Sequence, residues 1–273
     1  MISGSAKPLD AACEFEREII RRGASYILHL QDDWLSIPYL KPQLEARLPL
    51  ASLVVVPTEP LKQRLLEFSR DLPIEVWDEP VDVNRLAPPS RRPAVSIIAW
   101  TGTSYSMKYL ELIGGILERL QHEVPFRLRL IFDRKPKVRL PLSMELFHYR
   151  PESEIEGLGG ASAGLAPLDG SPYTCCKGCY KTKTYMAAGV PPVASAVGFH
   201  NSLIDSGTNG FLVKDKEEWE SALRTLLTDP ARAAEMGRKA REKAIRHFSH
   251  EVVMPQWIRA LKSRFGPQLE PKK

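Results

Sequence analysis

The run VSIIAWTGTSYSMKYLELIGGILERLQ, Val95 to Gln121, holds three patterns in sequence. Val95 to Trp100, apolar except for Ser96, reads as a strand. Thr101 to Met107 is a loop of small and hydroxyl-bearing residues, and Lys108 to Gln121 carries Leu110, Ile113, Leu117 and Leu120 on one helical face. A strand that opens through small residues into a helix is the entry unit of a doubly wound α/β fold. With no Cβ at Gly102, and only the short Thr103 beside it, the backbone can approach a pyrophosphate closely. The loop lacks the full G-x-G-x-x-G fingerprint, so alone it is weak evidence for a nucleotide.

The same alternation continues on both sides. Downstream, FRLRLIF (126–132), ASAGLAPL (161–168), PPVAS (191–195) and the end of SGTNGFLV (206–213) read as strands. Lys181 to Ala188 reads as a helix stopped by Gly189, and three further helices follow: KEEWESALRTLL, DPARAAEMGRKAREKAIRHF with Asp229 as N-cap and Pro230 in first position, and HEVVMPQWIRALKSRF. Upstream, SYILHL (25–30), ASLVVVP (51–57) and IEVWDEPVD (74–82) read as strands, and EPLKQRLLEFSR as a helix. The expected class is therefore α/β with mostly parallel sheets. LAPPSRRPA, Leu86 to Ala94, has the composition of a linker and sets the expected division into residues 1–92, 93–248 and a C-terminal helix and tail, 249–273.

The chain of 273 residues is 43% hydrophobic, enough for a buried core, and its net charge of +5 favours an anionic partner such as a phosphate, a nucleotide or a membrane surface. That charge is no nucleic-acid signature. Asp10, Glu14, Glu16 and Glu18 interrupt the stretch where a signal peptide needs an apolar core, and no apolar run reaches membrane-spanning length. A cytoplasmic protein is the expectation. The basic helix from Ala231 to Phe248 fits a solvated face, with Glu235 and Glu242 breaking its charge; its other reading is peripheral contact at the inner membrane surface.

CCKGCYKTKTYMAAG, Cys175 to Gly189, admits two chemistries. Cys176 and Cys179 are spaced C-x-x-C, yet a structural zinc site needs a second pair and the sequence has none, so no metal is expected. The four cysteines do not form a secretory disulfide pattern either, and reduced thiols are expected. Lys177 and Lys181, four apart before or at a helix start, could turn two ammonium groups to one side beside free helix N–H groups, which makes an anion site. The same spacing fits a solvated helix start. Lys108, opening the helix after Gly102 and Thr103, is a similar case.

These residues carry a resemblance. The run from Lys177 to Glu242 resembles the donor-binding domain of GT-B glycosyltransferases of the "group 1" class, with its YMAAG, its vG, its G-x-N-G-F-L-V and its W…aL…Ll.D…mG..aR pattern. WTGTSYSMKYL resembles the family's W-I-G-T loop and ASAGLAPL its aDiGlaPL, so the likeness runs in order from Val95 to about Phe248. It implies two Rossmann-like domains and a glycosyl transfer, commonly retaining, from a nucleotide-sugar to a hydroxyl acceptor such as a saccharide or a lipid-linked glycan precursor. It also implies no cofactor and no metal, positive charge taking the place of a divalent cation. Carried over residue by residue, Gly102, Thr103, Lys108, Lys177 and Lys181 would face the donor diphosphate.

The departures are equally specific. Two glutamates that many members place eight positions apart, for the donor sugar and the ribose, fall here on Cys176 and Thr184, and Ser202 stands where many have another glutamate. Ser162 replaces the aspartate of aDiG. The part before the linker resembles only the end of the family's acceptor-side domain, with ILHLQDDW offering His29, Asp32 and Asp33 as acceptor-side groups, although a cap or turn role fits the aspartates equally. No catalytic base is named. The alternatives to an active enzyme are a non-catalytic nucleotide-sugar-binding relic and a fragment of a longer enzyme.

Overall fold

The computed structural model describes residues 2–3, 13–89, 93, 95–134 and 142–269. They form two compact units. Residues up to Glu79, Gly170–Gly178 and those from Val253 on make the first, and Pro80–Asp169 with Cys179–Val252 the second.

The first unit carries a four-stranded parallel sheet in the order β1-β2-β3-β4: β1 (Ile2–Ser3), β2 (Ile27–His29), β3 (Leu53–Val56) and β4 (Ile74–Val76). Its helices are α1 (Glu14–Arg21), α2 (Lys41–Arg47), α3 (Glu59–Phe68), the short α6 (Pro172–Cys175) and most of α11 (His250–Leu269). Alternate residues of β3 face opposite layers, as the pleat requires. Val54 and Val56 pack with Leu28, Leu61 and Leu65, while Leu53 and Val55 pack with Trp77, Phe265 and the partly buried Trp257 of α11. Thr58 caps α3, its Oγ1 accepting from the Leu61 N–H at 3.3 Å.

The second unit carries six parallel strands: β5 (Ser96–Gly102), β6 (Phe126–Phe132), β7 (Met144–His148), β8 (Ala163–Ala166), β9 (Pro192–Ser195) and β10 (Phe211–Val213). The order across the sheet is β10-β9-β8-β5-β6-β7. From β5 the chain winds outward through β6 and β7, then returns to β8 and winds the other way, which is the layout of doubly wound nucleotide-binding sheets. Helices α4 (Gly114–Glu123) and α9 (Lys216–Thr228) cover one face with Ile98, Trp100, Leu128 and Leu130. On the other face Ile97, Ala99 and Ile131 pack with α5 (Pro151–Leu158), α7 (Tyr180–Ala187) and α10 (Pro230–Phe248), and α8 (His200–Leu203) closes its end.

Two expectations change. The helix after Gly102 begins as a 3-10 helix, Ser106–Ile113, and becomes α-helical only at Gly114, where two consecutive glycines weaken a continuous α-helix. The first break between the units falls at Glu79–Pro80, ahead of the proline-rich run. Val81, Val83 and Leu86 are buried in the second unit's core, the Val81 N–H donates to the Phe248 carbonyl at 2.7 Å, and Arg241 donates to the carbonyls of Val83, Leu86 and Ala187. Of the expected linker, residues 90–92 and 94 lie outside the described residues. Among those described, no helix is long and apolar enough to cross a membrane.

Candidate functional site

In an open α/β sheet the ligand crevice lies beyond the carboxyl ends of the strands, where the winding reverses. Here that point lies between β5 and β8. The two strands pair at Ile98–Ala163 and Ala99–Gly164 and no further, although β5 runs on to Gly102 and β8 to Ala166. Beyond Ala99 they part.

The residues at this point come from β5, its loop and α7. Lys181, in the first turn of α7, sets its ammonium 4.1 Å from the centre of the Trp100 ring. A Cβ on Gly102 would meet that nitrogen at 2.9 Å, Trp100 Cζ2 at 2.8 Å and Ser106 Oγ at 2.8 Å, so only glycine fits at the end of β5. The loop then turns tightly. The Thr103 carbonyl accepts from both the Ser106 N–H and the Ser106 Oγ at 2.9 Å, and the Ser104 N–H donates to Asp133 Oδ1 at 2.6 Å, which ties the loop to the end of β6. Lys108, exposed on the 3-10 helix, lies over Tyr105 and Tyr109 at 4.8 and 5.1 Å. Such rings attract the ammonium through their negative faces.

Helix α7 reads the end of β5 with successive residues of one face. Four residues after Lys181, the Tyr185 hydroxyl accepts from the Thr101 N–H at 3.0 Å and donates to the Leu165 carbonyl at 2.9 Å. Burial pushes this phenol far above its ordinary range, so it carries its proton. From the same helix Thr182 meets His200, which is buried with Nδ1 2.9 Å from the Ser195 carbonyl and Nε2 3.0 Å from Thr182 Oγ1. A carbonyl only accepts, so Nδ1 holds the proton and Nε2 accepts from the threonine. Burial lowers the His200 pKa to about 4, with the Lys181 charge adding to the effect against the opposing Ser195 hydrogen bond. The imidazole is neutral at neutral pH.

Of the expected diphosphate residues, the structure brings Gly102, Thr103 and Lys181 together, with Lys108 on the turn that follows. Lys177 does not share their helix. Cys179 adopts a left-handed backbone (φ 54) that ends the preceding turn, and Lys177, in the first unit, pairs with Asp32 at 2.7 Å and lies over Tyr173.

Two of the three expected sugar-side residues, Cys176 and Thr184, are occupied within the protein. Cys176 is buried in the first unit's core, and burial together with the nearby Asp33 carboxylate pushes its thiol up to about 11. Thr184 is buried on α7, its hydroxyl donating to the Tyr180 carbonyl at 3.1 Å. Ser202 is exposed on α8.

On the acceptor side, Asp33 is a cap. It is fully buried, accepts from the Leu35 N–H and the Ser36 hydroxyl, and lies 3.5 Å from Arg64. His29 is buried edge-on to the Trp257 ring at 5.4 Å, and burial lowers its pKa. Among the described residues no group of His, Cys, Asp and Glu is arranged to hold a metal ion. Trp100, Asp133, Tyr185 and His200 were not legible as site residues from spacing, because each acts through strands distant in sequence.

Comparison with known proteins agrees with this architecture. The sequence model for the family described as "Glycosyl transferases group 1" matches residues 185–243. No curated protein sequence matches the chain. Among solved structures, HepE from Anabaena in complex with UDP and glucose superposes with a TM-score of 0.73 at 15% identity, over 90% of this chain and 73% of that one. Sucrose-phosphate synthase from Thermosynechococcus elongatus gives 0.71 at 15% identity, over 92% and 71%. A glycosyltransferase from Rickettsia africae gives 0.66 at 17% identity, over 97% and 84%. The chain therefore has the GT-B fold of these proteins, and its segment from Tyr185 to Lys243 carries the sequence pattern of group 1 glycosyl transferases.

Proposed function

We propose that this protein transfers a glycosyl group from a nucleotide-sugar to a hydroxyl acceptor. The observation that carries the reading is the meeting of Gly102 and the Lys181 ammonium at the point where the sheet reverses. A diphosphate laid across the end of β5 would lie against the Thr103–Ser106 turn, where the Ser104 and Ser106 N–H groups are bonded within the protein, and would take the charge of Lys181, with Lys108 beyond it. In the reaction the bond from the sugar's anomeric carbon to the diphosphate oxygen breaks, and a bond from that carbon to the acceptor oxygen forms. Negative charge grows on the leaving diphosphate, so fixed positive charge there lowers the barrier without a metal. The group 1 match and the UDP and glucose of the HepE structure support a nucleotide-sugar as the donor, and retention of configuration is the outcome proposed.

One observation favours a second reading, donor binding without transfer. Where many relatives hold carboxylates, Cys176 is buried and the Thr184 hydroxyl is spent on its own helix. Neither is placed to steady a developing oxocarbenium ion.

Titration calorimetry with UDP-, GDP- and ADP-sugars separates the readings. One donor is expected to bind, with affinity reduced at least about tenfold in Lys181→Ala and less in Lys108→Ala. Absence of binding by all three overturns the donor site. Binding with neither donor hydrolysis nor transfer to any of a panel of saccharide acceptors selects the second reading.

A further inference from the structure

The parallel register of β5 and β8, Ile98 with Ala163 and Ala99 with Gly164, dictates what the next ladder bond would be. Continued by two residues it sets Thr101 opposite Ala166, and in a parallel pair the Thr101 N–H then bonds to the carbonyl of Leu165. Those two groups are the partners of the Tyr185 hydroxyl, which accepts from Thr101 and donates to Leu165. One hydroxyl is thus inserted into the ladder at the place where the winding reverses. It satisfies both backbone groups while keeping the strands a hydroxyl's width further apart.

The surroundings are built for this insertion. A Cβ at residue 164 would lie 2.5 Å from the Tyr185 ring, so Gly164 makes room for it. Thr101 is held from its other side too. Its hydroxyl donates to Glu154 at 3.3 Å, and Glu154 pairs with Arg85 at 2.9 Å. The residue after Thr101 is Gly102, and the ammonium that Gly102 accommodates belongs to Lys181, on the same face of α7 as Tyr185. Helix, strand end and loop are joined through one oxygen atom.

We infer that Tyr185 is a positioning residue for the donor site: its inserted hydroxyl holds β5 away from β8 and fixes the Gly102 loop in register with Lys181. This inference rests on the functional reading above. Tyr185 touches no substrate in this account and acts only through Thr101, Gly102 and Lys181.

The test is a double-mutant cycle on nucleotide binding with Tyr185→Phe, Lys181→Ala and the pair, using whichever of UDP, GDP or ADP the wild-type protein binds most tightly. Thermal unfolding confirms that each variant is folded at the titration temperature. Tyr185→Phe is expected to weaken binding about tenfold in the wild-type background and less than about twofold in Lys181→Ala, because the loop then has no ammonium to be set against. A hydroxyl that served stability alone would lower the unfolding temperature and leave affinity unchanged in both backgrounds, which overturns the inference. An equal loss in both backgrounds also overturns it. Failure of the wild-type protein to bind any of the three nucleotides is a different result, and removes the donor-site reading together with this extension of it. Where Tyr185→Phe is not folded at the titration temperature, Gly164→Ala, which displaces the same ring, takes its place in the cycle with the same expected non-additivity.

Discussion

Lys181 places its ammonium 4.1 Å from the centre of the Trp100 ring, and a Cβ on Gly102 would come within 2.9 Å of that nitrogen. Gly102→Ala therefore strikes ring and ammonium together. The lysine can swing away, but the buried Trp100 ring has no such freedom, so the strand end must shift. The expected outcome is a loss of nucleotide affinity of about tenfold, or ~1.4 kcal/mol, together with a destabilisation of roughly 1–3 kcal/mol from overpacking, read by calorimetry and thermal denaturation.

Gly237 on α10 faces Gly189, the left-handed residue (φ 66) that ends α7. A Cβ at 237 would overlap the Gly189 carbonyl oxygen, and backbone cannot rotate aside as a side chain can. In an exposed helix the change to alanine would stabilise; here Gly237→Ala is expected to cost about 2–3 kcal/mol by overpacking. Urea unfolding followed by circular dichroism measures it, and a stabilised variant would show that the two helices can separate freely.

Glu16 and Arg47 form a buried ion pair at 2.8 Å, with side chains 5% and 3% exposed. Removing one partner leaves the other charge buried alone. Arg47→Met is expected to destabilise by roughly 3–5 kcal/mol, and Glu16→Leu combined with Arg47→Met by much less, because the pair contributes little beyond offsetting its own desolvation. Equilibrium unfolding of both variants gives the comparison.

His200 makes stability depend on pH. Its folded pKa of about 4 lies below the ordinary value of 6.5, so between those values the unfolded chain binds the proton that the folded protein excludes. The contribution is fully present above pH 6.5 and is lost as the pH falls to about 4. It amounts to something on the order of 2–3 kcal/mol. His200→Asn should flatten the fall in unfolding temperature over that window relative to wild type, and an unchanged slope would mean that other groups carry it.

The alternation of strands and helices was legible because it rests on local signals: apolar runs, the Asp229 cap with Pro230, and Gly189 at a helix end. The resemblance supplied Gly102 and Lys181, and spacing alone left both open to a bland reading. Spacing misled for Lys177. Nothing in the residue type of Cys179 announces a left-handed backbone, which non-glycine residues seldom adopt, so two lysines four apart looked like one helical face. Asp33 had a cap and an acceptor-side role open to it, and the Leu35 and Ser36 hydrogen bonds show the cap. The role of Tyr185 could not be read at all, since it depends on the register between β5 and β8.

The covering of β3 has a bearing on the order in which the polypeptide gains structure. One face of that strand, Leu53 and Val55, is closed by Trp77 and by Trp257 and Phe265 of α11, and the Trp257 indole N–H donates to the Asp78 carbonyl at 2.9 Å. The sheet therefore leaves the ribosome nearly two hundred residues before its cover does, an estimate that follows from these positions. Until the last helix is made, an aliphatic face stays open to chaperones and to other nascent chains. Shortening the protein from its carboxyl end should accordingly be felt first as loss of yield, well before any residue at the strand ends of the larger sheet is touched.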